Sequence, residues 1–61
     1  MDIKNLKNYD GEEVDVETME KIEESENVVE VENCGMSGQH VGYIYYNVKL
    51  KDGSEISIYC K

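Results

Sequence analysis

Val41-Gly-Tyr-Ile-Tyr-Tyr-Asn-Val-Lys-Leu-Lys-Asp-Gly-Ser-Glu-Ile-Ser-Ile-Tyr-Cys60 alternates between apolar and polar residues and is interrupted once, around Asp52-Gly53. Side chains alternate faces along a strand, so Ile44, Tyr46, Val48, Leu50, Ile56 and Ile58 share one face of a β-hairpin. The turn length sets the register. A two-residue Asp52-Gly53 loop would place Leu50 opposite Glu55, an apolar residue against a carboxylate. A three-residue loop, Lys51-Asp52-Gly53, with Gly53 in the left-handed conformation, removes that mismatch. It sets Val48 opposite Ile56 and Tyr46 opposite Ile58. On the other face it sets Lys49 opposite Glu55 and Tyr45 opposite Tyr59, favourable cross-strand pairs. The three-residue register is therefore the one the sequence predicts.

Working outward, Val28-Val-Glu-Val-Glu-Asn-Cys34 reads as a further strand, with Val29 and Val31 towards the core and Glu30 and Glu32 towards water. Between it and the hairpin, Cys34-Gly-Met-Ser-Gly-Gln-His40 is a glycine-rich loop without periodicity. Upstream, Asp15 is a good N-cap for a helix from about Val16 to Glu26, with Val16, Met19 and Ile22 on one apolar stripe and Asn27 as its stop. Glu17 suits the helix dipole and pairs with Lys21, whereas Glu20 and Glu24 repel. Residues 12 to 16 read as extended chain or as the helix entry. Residues 2 to 9 read equally as a helical turn, from Ile3 and Leu6, or as a short strand. The expected fold is α+β: a small single domain spanning residues 1 to 61, an acidic N-terminal helix packed on a three-stranded antiparallel β-meander in the order α-β-β-β.

Size and composition narrow the function. The chain has 61 residues and no Trp or Phe, so the five tyrosines are expected to supply aromatic bulk to a thin core. A chain this short buries only about 60% of its unfolded surface, and a homodimer covering a second sheet face would help it. Fourteen acids against six lysines give a net charge of −8. Residues 10 to 32 hold eleven acids and one lysine, a net of −10, which leaves +2 for the rest. This field disfavours nucleic acid and anionic membranes and calls for a protein partner with a basic surface. The sequence lacks Arg, the bidentate reader of phosphates. Nothing resembles an export signal or membrane span, so the cytoplasm is the expected location and Cys34 and Cys60 the expected free thiols. In a simple meander their strands would flank a third, roughly 9.5 Å apart, so a disulfide is expected only if the strand order differs.

Chemistry finds little to build on. Cys34, His40 and Cys60 match no zinc spacing and lack a fourth ligand. Cys34 with His40 lacks an orienting third residue and a cleft for substrate. The glycines at 35, 38 and 42 precede no Gly-Lys-Ser/Thr. The acids from Asp10 lack the glycine of a calcium loop. The expectation is a non-enzymatic protein without cofactor or metal. Two features remain as binding candidates. Glu17, Glu20, Glu23, Glu24 and Glu26 occupy about 15 Å of helix axis, one carboxylate per ~3 Å, close to the ~3.4 Å phosphate spacing of a DNA strand. Tyr43, Tyr45 and Tyr59 share the polar face of the hairpin, and tyrosine favours contact surfaces. Met36, Gln39 and His40 of the glycine-rich loop complete the candidate surface.

In size and charge the chain is similar to small acidic inhibitors encoded by phages and mobile elements, anti-CRISPR proteins among them, although no motif matches residue by residue. The leading expectation is an inhibitor or modulator of a nucleic-acid-processing protein, acting as a phosphate mimic. The alternative is a homodimeric accessory module that uses the tyrosine face. A third reading is a small enzyme or metal protein built on Cys34 and His40.

Overall fold

The alternation that defines the hairpin also defines the two sides of the molecule. A computed structural model describes all residues from Met1 to Lys61. Its elements are α1 (Ile3–Lys7), β1 (Glu12–Val14), α2 (Val16–Glu23), β2 (Val28–Met36), β3 (Ile44–Leu50) and β4 (Glu55–Cys60). The four strands form one sheet in the order β1-β4-β3-β2. The expected antiparallel meander is present as β2-β3-β4, and the α+β class holds. The sheet is nevertheless four-stranded and mixed, because β1 adds to the far edge of β4 in parallel. Both helices contribute buried side chains to the core on the even-numbered face of the hairpin.

The hairpin has the three-residue register. Val48 lies opposite Ile56, Tyr46 opposite Ile58, Tyr45 opposite Tyr59 and Lys49 opposite Glu55. Leu50 and Ser54 close the loop, and Gly53 has φ of 92°. Lys49 nevertheless makes its ion pair across the other side, to Glu30 at 3.3 Å, and Glu55 accepts from Asn47 Nδ2 at 2.8 Å. Lys49 thus stands between two carboxylates, opposite Glu30 on β2 and Glu55 on β4. A Cβ at position 53 meets no neighbouring atom, so its cost is purely conformational. Gly53→Ala should therefore lower stability by about 1 kcal/mol, read as a shift in the urea midpoint, while leaving the register intact.

Asp52 holds the turn together. It accepts from the Ser54 backbone N–H at 2.9 Å and from the Ser54 hydroxyl, and pairs with Lys7 Nζ at 3.0 Å. These partners, Ser54 foremost, hold its carboxyl down at about 2. Asp15, the N-cap of α2, is also lowered, chiefly by its hydrogen bonds with Thr18. A carboxylate held below its ordinary value of 3.8 contributes stability above that pH and loses it as the pH falls through the folded value. Acid unfolding should thus steepen between about pH 4 and pH 2, and Asp52→Asn should flatten that limb of the curve.

The core contains Leu6, Val14, Met19, Ile22, Val48, Leu50, Ile56, Ile58 and Cys60. No tyrosine belongs to it. Tyr9 and Tyr46 pack against its edge, whereas Tyr43, Tyr45 and Tyr59 are held away from it by strand alternation. The open segment at residues 2 to 9 resolves as a helix because Asp2 caps it, accepting from Asn5 N–H at 2.8 Å, and Leu6 is fully buried.

Four boundaries and placements differ from expectation. The α2 helix stops at Glu23, with Glu24 as its C-cap, so Glu26 lies beyond it. Asn27 is not the stop. Buried Ser25 donates its hydroxyl to the Met1 carbonyl at 2.9 Å, Asn27 Nδ2 donates to the same oxygen at 2.8 Å, and these bonds turn the chain early. Val16, at the first helical position, is 56% exposed rather than part of the buried stripe. Val29 does not face the core. A bulge between Val28 and Glu30 turns it outward, 68% exposed, and Val28 packs in its place. The β2 strand also runs on to Met36, with a second irregularity between Asn33 and Met36, so Cys34 is inside the strand.

Candidate interaction surfaces

The first candidate surface is the outer side of α2. Met19 and Ile22 face inward, so the intervening glutamates must point away from the core. Glu17, Glu20, Glu23, Glu24 and Glu26 are all exposed. Glu17 to Glu24 is about 10 Å of helix axis at 1.5 Å per residue. The protein's ion pairs join Lys7 to Asp52, His40 to Glu13 and Lys49 to Glu30. None uses a glutamate of this set, and Lys21 forms no ion pair with Glu17. The acidic face is therefore N-capped by Asp15, and its one cation, Lys21, is tied up in no ion pair.

The second candidate surface is the sheet face opposite the helices. Tyr45 and Tyr59 stack with ring centroids 5.5 Å apart, as their cross-strand pairing requires. The Tyr45 hydroxyl is 3.2 Å from that of Ser57. His40 stacks on Tyr59 at 3.8 Å and meets the edge of Tyr43 at 6.5 Å. Its Nδ1 lies 2.8 Å from Glu13 Oε2, which β1 presents beside Tyr59. The loop delivering His40 is shaped by Ser37, whose hydroxyl accepts from the backbone N–H groups of Gln39 and His40. Lys61 Nζ sits 5.7 Å above the Tyr43 ring, a cation–π distance. His40 is thus not a free loop histidine but the strap that joins the loop to the sheet.

The structure therefore divides the expected binding residues between two faces. Tyr43, Tyr45, Tyr59 and His40 come together on one. Glu17, Glu20, Glu23 and Glu24 occupy the helix on the other. Met36 and Gln39 are exposed. Two participants escaped the sequence reading. Glu13 is 27 residues from His40, and Lys61 continues the β3–β4 register one step past Cys60 to lie opposite Tyr43. Strand order brings Glu13 into place, whereas Lys61 arrives through the hairpin register itself.

Cys34, His40 and Cys60 do not converge. Both cysteines are free thiols, Cys34 exposed on β2 and Cys60 buried on β4, with β3 between their strands. No group of three His, Cys, Asp or Glu side chains is arranged to hold a metal ion. No helix is long and apolar enough to cross a membrane. Burial, reinforced by the carboxylates of Asp15 and Glu23, pushes the Cys60 thiol above its ordinary value, the opposite of what activates a nucleophile. Comparison of the chain with protein-family models, curated proteins and solved structures finds no match.

Proposed function

We propose that this protein is a small, acidic, non-enzymatic binding protein that occupies a basic surface on a nucleic-acid-processing protein and inhibits or modulates it. The observation that carries this reading is the acidic face of α2: Glu17, Glu20, Glu23 and the C-cap Glu24, with Glu26 just beyond, all exposed and none in an ion pair, on a helix whose other side is anchored in the core. Such a field steers association with a cationic surface that otherwise binds phosphates. An unpaired carboxylate on an ordered helix gives up little when it meets a lysine or arginine, because no internal partner has to be displaced.

A second reading rests on its own observation. One face of the four-stranded sheet has no helix on it and carries the stacked rings of His40, Tyr59 and Tyr45. A homodimeric accessory module would bury that face.

One experiment separates them. Glu20, Glu23 and Glu24 are replaced together by Gln, and the variant is compared with the parent in pull-downs from host lysate at low and high salt. The proposed function expects proteins retained by the parent to be lost at high salt and bound about tenfold more weakly by the variant. Its thermal stability should rise slightly, because the Glu20–Glu24 repulsion costs a few tenths of a kcal/mol. Binding and stability then move in opposite directions. The dimer module expects this variant to behave as the parent and Tyr45→Ala to abolish assembly instead. Equal retention of the same proteins by the Gln variant at low salt would reject the acidic helix as the docking surface.

A further inference from the structure

Between α2 and the open end of the hairpin lies a groove of about 380 Å³. Its floor is apolar: Met19 from the helix, Ile44 and Tyr46 from β3, and Cys60 from β4. Val16, more than half exposed, forms its lip. Glu20 and Glu23, three apart on one side of α2, stand along the helix rim. Lys61 borders the groove as well, but its ammonium lies over the Tyr43 ring on the opposite sheet face. The cavity thus combines an apolar floor with two carboxylates and no opposing cation. Asp15 and Glu23 are among the causes that raise the Cys60 thiol, so the negative field reaches the floor itself.

We propose that this groove receives the side chain of a lysine or arginine from the basic partner, with the alkyl stem on the apolar floor and the cationic head beside Glu20 and Glu23. The inference rests on the function proposed above and names how the partner is gripped. Charge complementarity selects the occupant. A purely apolar anchor would strip water from two carboxylates without pairing them, and an anionic or small polar group would leave the floor wet. Long cationic side chains bury their stems while keeping the head polar, which matches the layout of floor and rim. The volume lies at the small end of the 300–1,000 Å³ typical of ligand pockets, about right for one or two such side chains.

The test uses the whole protein, isotopically labelled, and two peptides of equal charge. One is hexalysine; the other is the hexamer of 2,4-diaminobutyric acid, whose stem is shorter by two methylenes. Both are titrated at low salt and at a pH where both are fully protonated. Hexalysine should shift the Met19 and Ile44 methyl resonances and bind about tenfold more tightly, since two buried methylenes account for that factor. Val16→Phe, which fills the lip without removing a charge or a core side chain, should bring the two peptides to equal affinity. If the peptides bind the parent equally and leave the Met19 and Ile44 methyls unmoved, the groove is overturned. In that case, weakening of both peptides by the triple Gln variant would leave the acidic helix standing as the docking surface. If neither peptide binds, both readings fall together. If the groove resonances move with protein concentration instead, a second copy is the occupant and the lysine assignment is wrong.

Discussion

Ile58→Ala is expected to bring the protein to the edge of unfolding at room temperature. Ile58 is fully buried at the centre of the sheet, opposite Tyr46 on β3 and beside Glu12 of β1 in register. It shares its core with Leu6 of α1 and Ile22 of α2, both also fully buried. Truncating such a side chain removes its transfer energy and leaves a cavity, a combined loss of about 2–5 kcal/mol. A chain of 61 residues has a total stability of only about 3–9 kcal/mol. The loss is thus comparable with the whole. Urea titration followed by far-ultraviolet circular dichroism measures it, with Val29→Ala as the control. Val29 is an exposed bulge residue, so its truncation should leave the midpoint nearly unchanged. Equal midpoints for the two variants would mean that Ile58 does not sit where the helices converge.

The second large effect belongs to Asp10. Its Oδ1 accepts from the Ser57 backbone N–H at 2.8 Å, and the neighbouring Gly11 N–H donates to the Ser57 carbonyl at 2.6 Å. The Asp10-Gly11 turn therefore satisfies both backbone groups of Ser57 just ahead of the short parallel pairing of β1 with β4. Asp10→Ala removes a charge-assisted acceptor from an exposed backbone N–H, at a cost of about 1 kcal/mol. Amide exchange should accelerate at Ser57 and along β1. Because β1 carries Glu13, the His40 imidazole resonances should move in the same variant. Asp10→Asn keeps an acceptor oxygen and should retain most of the protection. If the alanine variant exchanges as slowly as the parent, β1 is held by other contacts.

These two residues mark how far the sequence could be read. Ile58 was legible as core because alternation and the Gly53 turn act within twenty residues and leave a single register without a mismatch. Asp15 was legible as a cap, because N-capping involves only the residue and the N–H groups just after it. Asp10, followed by Gly11, signals a turn and nothing more. Its partner lies 47 residues away, and Glu12-Glu13-Val14 offers one apolar side chain to declare itself a strand. The exposure of the α2 glutamates followed from composition, but the point at which the helix ends did not. Its acidic pattern continues to Glu26 without a break, and the stop comes from Ser25 and Asn27 meeting the Met1 carbonyl.

Sequence alone determined the hairpin, its register, the face each of its side chains occupies and the charge of the helix beside it. These depend on side-chain alternation, turn chemistry and net charge, all of which act between near neighbours. Tertiary structure decided the fourth strand, the outward turn of Val29, the stacking of His40 on Tyr59 and the groove under Glu20 and Glu23. Each of these arises where backbone groups or rings far apart in the chain satisfy one another. Alternation states which face a residue occupies, but it does not name the neighbour on that face.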